Sequence, residues 1–182
     1  MLGYTKFQTA NNTQYGEFTV FSGAEILGKS GVADYFYTFW KALERPGRKD
    51  IKPGELSRYL DRLVILDVLR HEDGFGLNVR LIGTFVANYY GEISGQDIHA
   101  MGNKQASARI YSLCAMVLER SEPLMTVTPA FAEDKQYLEA FALYMPLFDD
   151  AGSIDKILVS VDIASLHHDS AEQTIASANN LK

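Results

Sequence analysis

The sequence predicts an α+β fold: a five-stranded antiparallel sheet with helices on one face and a further helix ahead of the first strand. Three observations carry that expectation. The apolar run 63–69 reaches a second strand-like run, 77–83, through the turn His71-Glu72-Asp73-Gly74-Phe75-Gly76, a connection so short that it forces antiparallel pairing. A helical stripe of Ile110, Leu113, Cys114 and Val117 then marks a long helix over about 104–119. Three more strand-like runs follow, 124–132, 136–148 and 156–163, separated by turns at Ala132-Glu133-Asp134 and Asp149-Asp150-Ala151-Gly152, which makes a meander.

The remaining elements fall into place around these. Residues 1–30 mix Asn, Thr, Gln and Gly with one short β-like stretch, 17–21, and read as an arm. From Val32 the apolar residues Val32, Phe36, Phe39, Trp40 and Leu43 recur at the spacing of one helix face, and Pro46-Gly47 stops the pattern. Pro53 suits the first turn of a short helix through Glu55, Leu56, Tyr59 and Leu60. Thr84 begins a brief helix, 85–90, which Gly91 ends by supplying left-handed geometry; Glu122-Pro123 breaks the long helix. The polar residues 164–182 read as a tail, either a loose helix or a frayed end. The organisation is therefore an arm (1–30), one domain (31–163) and a tail (164–182).

Composition narrows the function classes. A chain of 182 residues suits one domain by the prior of roughly 100–200 residues per domain. With 47% hydrophobic and 22% charged residues, and ten Tyr and ten Phe, it has the makings of an aromatic-rich core. A net charge of −6 opposes binding to nucleic-acid phosphates or to an anionic membrane surface. The best apolar run, 63–69, is short and carries Asp67, so no bilayer-spanning helix is expected. The first residues show no basic region followed by an apolar stretch, and Cys114 alone allows no internal disulfide, so a cytoplasmic location is expected.

A family resemblance rests on Trp40 in the leading helix, Asp50-Ile51-Lys52-Pro53-Gly54-Glu55-Leu56, Leu66-Asp67, Arg80-Leu81-Ile82-Gly83-Thr84, Tyr90-Gly91, Gly95 and Pro146-Leu147. Over about residues 34–163 the chain resembles the PAS fold, and more narrowly a bacterial PAS-like family found chiefly in alphaproteobacteria. The resemblance implies a sensory or regulatory module with no shared reaction. Its cofactor, if any, stays unknown. Within 1–182 no kinase, cyclase or DNA-binding segment is recognisable, so output through contacts with a signalling protein partner is the expectation.

Several side chains are candidates for the site. Arg80 stands mid-strand between Val79 and Leu81, which directs its guanidinium into a surface that helices should cover. A buried arginine needs an anion: a structural partner such as Asp67, Asp97 or Asp162, or a ligand's carboxylate or phosphate. Arg109 on the long helix is a second candidate cation, against the plainer reading of a solvated helix position. Phe85, Tyr89 and Tyr90 on the short helix, with Leu113 opposite and Tyr144 from the sheet, either line a ligand cavity or build an aromatic core. His99 reads as a surface-loop histidine rather than a haem ligand, and His167-His168 has no companion carboxylate cluster, so no metal site is expected. Cys114 lies on an apolar stripe and has no Asn-Cys-Arg context, which gives no indication of flavin-adduct chemistry.

Two readings compete with the sensory module. One is a small isomerase-like pocket enzyme with Asp67 or Asp162 as base and a tyrosine donor, which requires the carboxylate to face the cavity. The other follows from Gly23-Ala24-Glu25-Ile26-Leu27-Gly28-Lys29-Ser30, a literal match to the P-loop pattern. Glu25 opposes it by placing negative charge in a phosphate cradle. So does the antiparallel hairpin, since P-loop sheets are parallel and need crossovers. A leading helix this apolar must cover its own sheet or join a second copy, so a homodimer through that helix is a further expectation.

Overall fold

The computed structural model describes residues 15–129 and 137–165. Among them six strands form one antiparallel sheet: β1 (Thr19–Ser22), β2 (Leu63–His71), β3 (Gly74–Ile82), β4 (Leu124–Pro129), β5 (Leu138–Phe148) and β6 (Ile154–Ser165). Their order across the sheet is β1-β4-β5-β6-β2-β3. The five expected strands are β2 to β6. The sixth comes from the segment read as an arm, where Thr19 pairs opposite Val127 and Ser22 opposite Leu124 on β4. The turn expected at 132–134 lies outside the described residues.

Three helices flank the sheet: α1 (Gly31–Lys41), α2 (Thr84–Tyr90) and α3 (Lys104–Arg120). Ser30, in extended conformation, caps α1 by accepting from the Ala33 amide. The helix then lays Phe36 and Tyr37 on one face of the sheet, over Ile65, Leu143, Met145, Leu147 and Leu158. Trp40 fixes the register, its Nε1 donating to the Pro146 carbonyl at 2.8 Å. α2 and α3 cover the other face, where Leu66, Leu77, Val79, Leu113, Val117 and Tyr144 share a second core. With both faces covered, β5 is buried continuously from Leu143 to Phe148.

Two glycines are dictated by their surroundings. At Gly83, ahead of α2, a Cβ would stand 2.2 Å from the Asp61 carbonyl oxygen and 2.6 Å from that of Leu60, so the backbone of 57–62 leaves room for glycine only. Gly91 ends α2 with φ of 91°, a region open to glycine. The β2–β3 ladder carries a β-bulge: Ile65 faces Leu81 but Leu66 faces Val79, so Arg80 is the extra residue on β3.

Candidate ligand cavity

Between the sheet and the α2–α3 layer lies a cavity of about 50 Å³. Its walls are Leu66 and Val79 from the hairpin, Val86 and Tyr90 from α2, Arg109 and Ile110 from α3, and alternating residues of β4 to β6. The space exists because the sheet presents small side chains there. Thr126 and Thr128 on β4 and Ala140 and Ala142 on β5 stand two residues apart and so point to one face, where bulkier residues would have filled it.

The polarity of this wall is concentrated in a few groups. Arg109 is 5% exposed and is the one buried charged residue among the described residues. Its Nη1 donates to the Tyr15 carbonyl at 2.7 Å, and its guanidinium lies 6.0 Å from the Phe18 ring centre. Burial pushes the Tyr90 hydroxyl up to about 12, although the Arg109 charge opposes the shift. Tyr144 is raised by burial and by Cys114 and Tyr90, against the pull of Arg109 and of a hydrogen bond with Thr126. Burial raises the Cys114 thiol as well. At neutral pH Tyr90 and Tyr144 on the wall, and Cys114 behind it, are protonated, leaving Arg109 as the single formal charge among the lining residues.

Of the seven residues singled out from sequence, Tyr90, Arg109 and Tyr144 meet at this cavity. Leu113 is fully buried one turn further along α3, behind the wall. Phe85 and Tyr89 lie outside the lining, their rings 5.3 Å apart, and Phe85 sits under the guanidinium of Arg62 at 4.0 Å. Arg80 is elsewhere. Its place between Val79 and Leu81 pointed it at a surface that helices should cover, but alternation sets it opposite Leu77 and Val79, on the face that carries Asp67, where its side chain is 55% exposed and its Nε donates to Asp67 Oδ1 at 2.8 Å. The residues that sequence reasoning missed are Thr126, Thr128, Ala140 and Ala142, whose signal was the two-residue repeat of small side chains.

The carboxylates of the enzymatic reading do not line the cavity. Asp67 pairs with Arg80, while Asp162 accepts from Arg62 Nη1 at 2.6 Å and from the Ser30 hydroxyl at 2.8 Å. The P-loop-like octapeptide is not a phosphate cradle. Its Gly28 amide donates to Asp34, Lys29 lies over the Phe21 ring at 4.4 Å, and Ser30 caps α1. His99 is exposed, with Nδ1 2.7 Å from Asp97 Oδ1. Among the described residues no cluster of three or more His, Cys, Asp or Glu is arranged to hold a metal, and no helix is long and apolar enough to cross a membrane. His167-His168 lies outside the described residues.

A hairpin-linked antiparallel sheet with short helices clasped over a small cavity is the architecture of a PAS-type sensory module. The chain belongs to the PAS domain family, whose sequence profile matches residues 29–161. No curated protein matches the chain. Among solved structures it is similar to an RNA-binding light-oxygen-voltage receptor, at 11% identity and a TM-score of 0.50, over 91% of this chain. The chain spans 44% of that receptor's length. A light-oxygen-voltage domain studied with a flavin analogue matches at 16% identity and a TM-score of 0.43, over 71% of this chain and 94% of its own. The light state of the Aureochrome1 LOV blue-light photoreceptor matches at 13% identity and a TM-score of 0.40, over 69% and 96%.

Proposed function

We propose that the protein is a cytoplasmic sensory module that takes a small organic ligand into the cavity under α2 and α3 and passes its occupancy to a protein partner. The carrying observation is the wall itself: apolar nearly throughout, yet holding one buried arginine and four hydroxyl side chains, Tyr90, Thr126, Thr128 and Tyr144. That combination of apolar lining with a few convergent polar groups is what orients small ligands. In this reading the sensory unit is 31–163, the arm is 1–30 and the tail 164–182, and the partners are proteins rather than nucleic acid or membrane, in keeping with the net charge of −6.

A route out of the cavity supports the signalling half of the proposal. Phe85 on α2 lies under Arg62, Arg62 is held by Asp162, and Asp162 accepts from the Ser30 hydroxyl at the start of α1. A ligand that moves α2 therefore acts on α1 across the sheet, by as much as its affinity differs between the two arrangements. Homodimerisation belongs to the same proposal. Since α1 buries its stripe on its own sheet, pairing falls to its outer side, where Tyr35 is 40% exposed and the neighbouring Leu27 48% exposed.

Native mass spectrometry of the purified protein tests both halves. A retained small molecule that is lost on filling the cavity with Ala142→Leu, together with a dimer that Tyr35→Glu dissociates, is the expected result. An empty monomer that no small molecule stabilises against heat would overturn the proposal.

A further inference from the structure

Resting on that reading of the cavity, we infer that its ligand is a short-chain organic monoanion, a carboxylate on a small apolar body, and that Arg109 receives its charge. Arg62 and Arg80 carry their own anions: Arg62 has Asp162 at 2.6 Å and Arg80 has Asp67 at 2.8 Å. Arg109, the most buried of the three, has no carboxylate within ion-pair distance among the described residues. A desolvated cation without a counter-charge is costly, and the neutral Tyr15 carbonyl takes only one of the five N–H donors that a guanidinium carries.

The surroundings select the class of anion. With Tyr90, Tyr144 and Cys114 all held protonated, a bound anion meets hydroxyl donors and no competing negative charge. One cation in an apolar wall balances one negative charge, which favours a carboxylate over a phosphate dianion. A cavity of about 50 Å³ holds roughly four waters at 10–15 Å³ each, room for a ligand of about four to six heavy atoms. The segment from Tyr15 to Phe18 closes over the guanidinium from the other side. It needs Gly16 to do so, with φ of 71° and a Cβ position only 3.3 Å from Gln105 Oε1 and 3.5 Å from Arg109 Nη1.

Calorimetric titration and thermal melting of the full chain with butyrate, its uncharged isostere butyramide, and inorganic phosphate test the assignment. Butyrate is expected to bind and raise the melting temperature, with butyramide and phosphate weaker by at least about tenfold. Arg109→Gln should weaken butyrate by about ten- to hundredfold and leave butyramide unchanged. Ala142→Leu, which fills the cavity and leaves Arg109 in place, should abolish both. Should Arg109→Gln fail to fold, the butyramide arm and Ala142→Leu decide alone. Equal binding of butyramide and butyrate would overturn the monoanion while leaving the cavity reading intact. Butyrate binding that Ala142→Leu does not touch would place the anion elsewhere and also overturn the inference. If no probe binds and native mass spectrometry finds nothing retained, the inference and the reading beneath it fall together.

Discussion

Asp162 joins α1, the strand β6 and the turn before β2, and replacing it with Asn isolates what its charge does. The carboxylate accepts three hydrogen bonds, from Arg62 Nη1 at 2.6 Å, Ser30 Oγ at 2.8 Å and the Ile163 amide at 3.0 Å. Asn keeps the volume but removes the charge and one acceptor oxygen. The ion-pair side chains are 27% and 24% exposed, so solvent discounts the interaction. Exposed pairs contribute about 0.2–1 kcal/mol and breaking buried ones costs about 3–5 kcal/mol, which puts Asp162→Asn near 2 kcal/mol of destabilisation. At about 2–4 °C per kcal/mol for a chain of this size, the melting temperature should fall by about 4–8 °C. Urea unfolding followed by the fluorescence of Trp40, the chain's one tryptophan, reads the free energy. A cycle with Arg62→Met, which keeps the stem over Phe85, should return a coupling of about 1–2 kcal/mol. Hydrogen exchange should also quicken at the first amides of α1, because Asp162 orients the capping hydroxyl. A coupling below about 0.3 kcal/mol, with exchange over 31–34 unchanged, would refute the reasoning and remove the proposed path from α2 to α1.

Three further outcomes are expected. Gly83→Ala should cost about 3 kcal/mol or more, since its methyl meets backbone oxygens at 2.2 and 2.6 Å; a urea midpoint near that of the native protein would show that 57–62 yields more easily than its packing implies. Stability should decline above pH 9. Cys114, Tyr90 and Tyr144 have folded pKa values raised above 9.0, 10.0 and 10.0, so the unfolded chain releases protons that the native state retains, with a slope approaching about 4 kcal/mol per pH unit near pH 11. Cys114→Ala should delay the onset toward pH 10, and an unchanged slope between pH 9 and 10 would contradict its burial. Arg80→Ala should change stability by less than about 1 kcal/mol and leave butyrate titrations untouched, because the Arg80 side chain is 55% exposed and away from the cavity, with Lys156 still 3.9 Å from Asp67. A loss of binding in that variant would return Arg80 to the site.

The elements legible in the sequence were those with a local cause. The hairpin turn, the four-residue recurrence in α1 and α3, and Gly91 each act over a few residues, and all appear where they were expected, with ends displaced by at most three residues. The strand β1 was not legible in that way. Its stretch 17–21 shows β character, but what makes it a sheet strand is the free edge of β4, more than a hundred residues further on, and no local pattern reports that edge. Coverage of the sheet by α1 was foreseen only as one of two choices, because a stripe of Phe36, Phe39 and Trp40 states that burial is required and not by which surface.

The two arginines show where sequence logic misplaces a site. Arg80 was placed by its position between two apolar residues, and alternation from Leu77 and Val79 points it instead to the opposite face, where Asp67 meets it. Arg109 was named a candidate cation but weighed below the plainer reading of a solvated position, although it stands four residues before Leu113 and eight before Val117, on the same buried face. That spacing was a signal. A charge placed in the stripe of a packed helix either costs the fold or serves it, and the absence of a carboxylate partner among the described residues is what separates Arg109 from Arg62 and Arg80. On the proposed reading the cavity and Arg109 explain each other: Ala140 and Ala142 leave the space, and a guanidinium with no carboxylate partner among the described residues would be matched there by an occupant of opposite charge.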